Sequence, residues 1–117
     1  MYHITRNAQF LFSNDQFELF AALASVVTQG RFDYAQWTKT FLVKYSADAQ
    51  TWYDVIADQT TSSTTFIGNT DQNTKVENCF SPMPVGRYVR IYPLSWYEYP
   101  SLQADVNTLP NDGEWFL

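Results

Sequence analysis

The chain has 117 residues and a formal net charge of −5, so it is the size of one domain and acidic. Because an acidic surface repels phosphate, nucleic acid is excluded as an expected partner. No apolar run reaches the ~18 residues of a membrane-spanning helix, and no basic region typical of a secretory signal peptide precedes an apolar one. Aromatic residues make up 18 % of the chain, which favours strands, since rings pack well on pleated, half-buried surfaces.

The first half of the chain predicts strands separated by turns. Residues 1–17 alternate loosely and predict one or two short strands with a turn at residues 13–15. Residues 23–28 predict a strand, and a loop with the sequence GRFDYAQW follows at residues 30–37. Residues 40–46 alternate between apolar and polar side chains, and with residues 51–58 they predict a hairpin. The polar tract at residues 59–65 predicts a loop.

The second half continues this pattern. Residues 75–80, 87–94 and 101–106 predict strands, while Pro82 and Pro84 interrupt the chain between the first two. Residues 95–100 predict a turn that, like the loop at residues 30–37, is rich in aromatic residues. Its Trp96, Tyr97 and Tyr99 either pack on the rest of the fold or contact a partner. Short strands at this spacing, without an internal repeat, predict an all-β sandwich or barrel with antiparallel sheets.

The residues needed for catalysis or for a transition-metal site are sparse. His3 is the only histidine, and neither a phosphate-binding glycine loop nor a nucleophile elbow occurs. The chain is therefore not predicted to be an enzyme. Cys79 is the only cysteine, which excludes an intrachain disulfide, and its residue type predicts a buried position.

Asn69, Asp71 and Asn73 form a cluster of oxygen-bearing side chains in a predicted turn. Such oxygens could hold Ca²⁺, the one cofactor that this sequence suggests. The alternative is a network of Asx turns that orders the loop without a metal.

The motifs between residues 28 and 106 resemble the discoidin domain, also called the coagulation-factor-type C domain. They include TQGR at 28–31, FIGNTD at 66–71, the proline-containing break at 80–84 and RYVRIYPLSW at 87–96. The resemblance implies a jelly-roll β-sandwich of the galactose-binding type that fills residues 1–117 as one domain. Residues 1–27 are expected to be a truncated or divergent N-terminal part. Residues 107–117 are expected to be a tail outside the family pattern, whose Trp115 and Phe116 are predicted to fold back.

The resemblance also implies a ligand-binding site in the loop at residues 30–37. Its members are Arg31, Phe32, Asp33, Tyr34, Gln36 and Trp37. Rings on a loop can stack on the apolar face of a sugar or insert between lipid headgroups, and an arginine can donate two parallel hydrogen bonds. For Trp37 the alternative is a structural position at the rim of the sandwich, and a structural role is also the alternative for Phe32 and Tyr34.

The function implied by the resemblance is an extracellular recognition or adhesion module that binds a galactose-type glycan or a cell-surface glycoconjugate. One alternative is binding to acidic phospholipid, against which the net charge argues. Another is a structural subunit of a protein assembly or a homo-oligomer, because a shortened N-terminal part would leave a sheet edge uncovered.

Overall fold

The computed structural model describes residues 2–4, 10–13 and 21–110 and contains ten strands. Two strands precede residue 21, and eight follow. Their bounds are β1 Tyr2–Ile4, β2 Phe10–Ser13, β3 Ala21–Gln29, β4 Trp37–Ser46, β5 Tyr53–Asp54, β6 Phe66–Ile67, β7 Val76–Cys79, β8 Val85–Gly86, β9 Tyr88–Tyr97 and β10 Leu102–Pro110. Among the described residues, no helix is long and apolar enough to cross a membrane.

The strands form two antiparallel sheets of five strands each. In the first sheet, β10 and β3 lie between β1 and β7, and the short β8 continues the pairing along β3. In the second sheet, β9 and β4 lie between β2 and β5, with the short β6 also paired to β4. The prediction of an all-β fold with antiparallel sheets is confirmed.

The core lies between the sheets and takes alternate residues of the long strands. Phe41 and Val43 of β4, Val89 and Ile91 of β9, and Leu102 of β10 are fully buried. This is the period-two pattern that the sequence predicts at residues 40–46, 87–94 and 101–106. Phe66 connects the edge of the second sheet to this core, because its ring stacks on Phe41 at 5.5 Å and meets Phe80 edge-on at 5.7 Å.

Several details differ from the sequence predictions. The second arm of the hairpin is a strand only at Tyr53–Asp54, and β6 lies where the sequence predicts no strand. Trp96 and Tyr97 belong to β9 rather than to a turn. The prediction that Cys79 is buried is wrong: its side chain is exposed, because it lies on an edge strand and shares a face with exposed Glu77. The predicted turn at 13–15 extends beyond the described residues, and the tail prediction for Trp115 and Phe116 falls outside them.

Three connections meet at one end of the sandwich. They follow β3 at Gln29, β6 at Ile67 and β9 at Tyr97. The same end therefore carries both the loop at residues 30–37 and the cluster of Asn69, Asp71 and Asn73, which the sequence identifies as candidate sites.

Candidate functional site

The aromatic loop, residues 30–37, connects β3 to β4 and is closed by backbone hydrogen bonds. The amide of Arg31 donates to the carbonyl of Gln36 at 2.9 Å, and the amide of Gln36 donates to the carbonyl of Tyr34 at 2.8 Å. At the base, the side-chain amide of Gln103 on β10 donates to the carbonyl of Gly30 at 2.9 Å. The loop is thus a compact turn anchored to the neighbouring strand.

The Arg31 side chain organises the loop. Its Nε donates to the Asp33 carboxylate at 2.5 Å, and one terminal nitrogen donates to Gln36 Oε1 at 3.1 Å. The guanidinium carbon also lies 4.5 Å from the centre of the Tyr34 ring, a cation–π distance. Four of the six residues predicted to form the site therefore contact one another through Arg31.

Two rings project from this framework into solvent. Phe32 is 71 % exposed and Tyr34 is 59 % exposed. Exposed rings on a fixed loop offer flat apolar surfaces to a ligand. Because the loop is already ordered, binding costs less conformational entropy.

Trp37 is placed differently from Phe32 and Tyr34. It is the first residue of β4, half-buried, and its ring stacks on that of Tyr97 with centroids 4.4 Å apart and planes 13° apart. Trp37 therefore forms a wall beside the aromatic loop, whereas the other two rings form its tip.

The second connection at this end is the polar turn, residues 68–74. Asn69 is buried, and its side-chain amide donates to the carbonyls of Thr28 at 3.1 Å and Thr74 at 2.9 Å. The Asp71 carboxylate accepts hydrogen bonds from the amides of Asn73 and Thr74 and from the Thr74 hydroxyl. These bonds favour the charged form, with the Thr74 amide contributing most, and lower the pKa of Asp71.

The three residues of the predicted cation cluster thus have separate contacts. Asn69 points to backbone carbonyls, Asp71 caps the turn, and Asn73 contributes its carbonyl, which accepts a hydrogen bond from Gln29 at 2.6 Å. Within residues 21–109, no group of three or more His, Cys, Asp or Glu side chains is placed to hold a metal ion. The contacts are those of the loop-ordering alternative, while calcium binding stays a prediction.

The aromatic loop rests on the polar turn. A Cβ added at Gly30 would lie 2.7 Å from the carbonyl oxygen of Gln72 and 2.8 Å from its Cα. Real side chains do not approach backbone this closely, so only glycine fits. The polar turn consequently sets the position from which the aromatic loop projects.

Sequence reasoning misses an apolar cleft beside the loop. The cleft has a volume of about 360 Å³ and is lined by Trp37, Lys39, Thr40, Ile67, Asn69, Thr70, Ser95 and Tyr97. Its residues come from three strands and one turn that are distant in sequence. Placing Trp37 beside Tyr97 would have revealed the cleft. That placement requires knowing how β4 and β9 are aligned.

Comparisons with known proteins agree with this architecture. The F5/8 type C domain model matches residues 21–105. Human retinoschisin is 32 % identical over 84 residues, which are 72 % of this chain and 38 % of the relative. A discoidin-1 chain of Dictyostelium discoideum is 33 % identical over 85 residues, 73 % of this chain and 32 % of the relative.

A solved structure shows the same fold. Recombinant discoidin II of Dictyostelium discoideum superposes with a TM-score of 0.75 at 22 % identity, covering 92 % of this chain and 39 % of that one. The chain therefore spans well under half the length of these similar proteins.

Proposed function

The chain belongs to the F5/8 type C, or discoidin, domain family, and on this premise we propose that it is a non-catalytic extracellular recognition module that binds a galactose-type glycan through its aromatic loop. One observation carries the proposal: Phe32 and Tyr34 are exposed on a loop whose conformation is fixed by Arg31. Membership of this family and the fold shared with discoidin II support the same assignment.

The chemistry of the loop suits a sugar. A pyranose has one apolar face of C–H groups, which packs against an aromatic ring, and a rim of hydroxyls that donate and accept hydrogen bonds. Phe32 and Tyr34 supply the rings. Next to them, Arg31 supplies donors and Asp33 supplies acceptors within one ion pair, a combination that matches two adjacent hydroxyls.

Acidic phospholipid is the competing ligand, and the same ion pair argues against it. The exposed rings of Phe32 and Tyr34 could enter a headgroup layer. Attraction to an anionic membrane, however, comes mainly from basic residues. Arg31 is the only cation in the aromatic loop, and Asp33 neutralises it at 2.5 Å. In a chain of net charge −5, this leaves little electrostatic attraction.

Calorimetric titration with galactose and N-acetylgalactosamine tests the proposal, together with a glycan array on the intact chain. We expect saturable binding that is lost in Phe32→Ala/Tyr34→Ala. Tyr53→Ala is the matched control, because Tyr53 is also an exposed tyrosine, at 56 %, but lies on β5.

A folded protein that is silent across the array would contradict glycan binding. Sedimentation with phosphatidylserine vesicles separates the competing ligand. Vesicle binding that depends on Phe32 and Tyr34, without any glycan signal, would indicate that the aromatic loop binds acidic phospholipid instead of a glycan.

A further inference from the structure

We propose that the apolar cleft between the Trp37–Tyr97 stack and Ile67 is a second binding site, which takes a small aromatic group carrying one carboxylate or similar anion. This site is independent of the glycan proposed for the aromatic loop. The two regions share only Trp37, whose ring faces Tyr97 in the cleft rather than the loop tip.

The walls of the cleft are apolar and fixed by strand pairing. Trp37 lies opposite Tyr97 in the β4–β9 register, and Ile67 lies opposite Thr40 in the β4–β6 register. Phe41 and Phe66 point into the core, so their neighbours Thr40 and Ile67 point to the outer face of the sheet. Ile67 is 66 % exposed there, as this alternation predicts.

The volume of the cleft lies at the lower end of the range for small-molecule sites, and its exposed lining is mainly apolar. Small-molecule sites have volumes of roughly 300–1,000 Å³, with mainly apolar linings and a few polar groups. The cleft has about 360 Å³, and strand pairing assembles its apolar wall, in which the two rings stack at 4.4 Å. An aromatic group would extend this stack or fill the space between it and Ile67.

Polar groups at the cleft provide hydrogen-bond capacity. Thr40 Oγ1 and Ser95 Oγ are 2.6 Å apart, so one hydroxyl donates to the other and the second proton is left for another acceptor. Asn69 also lines the cleft, but its Oδ1 is buried and is an acceptor, so it does not bind a carboxylate. The donor for the anion is therefore the free hydroxyl proton of the Thr40–Ser95 pair.

The charge of the cleft selects an anion. Lys39 lines it, and none of the lining residues in the described part of the chain is an aspartate or a glutamate. Among residues 21–109, the ion pairs formed are Arg31–Asp33 and Lys44–Asp54, so neither includes Lys39. Lys39 is therefore the charged lining residue that complements a carboxylate.

The test is an NMR titration with two probes of equal shape, naphthalene-2-carboxylate and naphthalene-2-carboxamide. We expect saturable shifts of the Trp37 indole and the Ile67 methyl groups, with the carboxylate binding about five-fold tighter than the amide. Lys39→Gln should remove this difference by weakening the carboxylate alone. Lys75→Gln is the matched control, because Lys75 is an exposed lysine outside the cleft.

A second pair of variants tests the apolar wall. Ile67→Ser should weaken both probes, whereas Ile56→Ser, at an exposed isoleucine outside this cleft, should weaken neither. Equal affinity for the two probes in the wild type, or shifts centred elsewhere, would overturn the proposal. So would displacement of the carboxylate by galactose, which would merge the two sites. A chain that binds the carboxylate but no glycan would refute only the function proposed for the aromatic loop.

Discussion

The aromatic loop and the polar turn lie side by side at one end of the sandwich, yet their polar side chains are used in opposite ways. In the polar turn, Asn69 is buried and binds two backbone carbonyls. In the aromatic loop, Arg31 binds its neighbours at the surface, and the exposed groups are rings. The difference indicates a division of labour in which the turn contributes stability and the loop contributes contact surface.

Replacing Asn69 should reduce the stability of the protein more than the other substitutions predicted below. Asn69→Ala removes the two hydrogen bonds that its side-chain amide donates to the carbonyls of Thr28 and Thr74. Each intramolecular hydrogen bond contributes about 0.5–1.5 kcal/mol, so we expect a loss of about 2 kcal/mol in the free energy of unfolding. The melting temperature should fall by roughly 10 °C, since 1 kcal/mol corresponds to about 4–8 °C in a domain of this size.

Asn73→Ala is the control for the Asn69 prediction. Asn73 lies in the same turn, but it bonds to Asp71 and Gln29 through its backbone amide and carbonyl, which alanine retains. We expect a change within about 0.5 kcal/mol. If calorimetry showed equal losses for Asn69→Ala and Asn73→Ala, the buried amide would not be what stabilises the turn.

The contact between the two regions can be broken at Gly30. Gly30→Ala places a Cβ 2.7 Å from the carbonyl oxygen of Gln72, so the aromatic loop and the polar turn must separate. Inserting a methyl group into a packed site costs about 1–2 kcal/mol. Denaturant unfolding should show this loss, and titration should show weaker glycan binding because the loop is displaced.

Gly86→Ala provides the comparison for Gly30→Ala. A Cβ at Gly86 would be 3.1 Å from the nearest atom, the Ser46 carbonyl oxygen, so a smaller shift relieves it. A loss at Gly30 no greater than the loss at Gly86 would mean that the turn does not fix the loop.

Much of the fold follows from local sequence. Period-two alternation at residues 40–46 and 87–94 places Phe41, Val43, Val89 and Ile91 in the core, because a strand turns alternate side chains to one face. The prominence of the aromatic loop can also be predicted, since Phe32 and Tyr34 lie between two strand patterns. These features depend on neighbours in the chain and not on distant residues.

The features that local sequence misses depend on strand pairing. The cleft exists because β4 pairs with β9 in a register that brings Trp37 onto Tyr97, and no local pattern specifies that register. For Cys79, the residue type alone predicts burial. Its exposure follows from the edge position of β7, whose partner among the described strands is β3 alone.

The stability provided by the polar turn should depend on pH in the acid range. The pKa of Asp71 is lowered by hydrogen bonds from Thr74 and Asn73, so the folded state favours the carboxylate. The stability that this provides is fully present at neutral pH and is lost as the pH falls below about 4, through the lowered pKa. Asp71→Asn should therefore reduce the dependence of the melting temperature on pH in this acid range.

Among the described residues, Asp48 also has a lowered pKa and allows a control. Asp48 accepts hydrogen bonds mainly from the amides of Thr51 and Gln50, and it lies between β4 and β5 at a distance from the aromatic loop in the chain. Asp48→Asn should also flatten the acid dependence, but it should leave glycan affinity at acidic pH unchanged. If Asp71→Asn leaves the acid dependence as in the wild type, the cap does not contribute to folding.

The smallest effect on stability is expected at Asp33. Its substitution separates the two regions most clearly, because binding should change while stability does not. Exposed ion pairs contribute at most about 1 kcal/mol, and the Asp33 side chain is 39 % exposed. Asp33→Ala should therefore leave the melting temperature nearly unchanged. It should nevertheless weaken glycan binding several-fold, because Arg31 loses the carboxylate that orients it beneath Tyr34 and the sugar loses an acceptor. Thermal unfolding and calorimetric titration of the same sample measure the two quantities. A large loss of stability without a loss of binding would reverse the assignment and make the aromatic loop part of the scaffold.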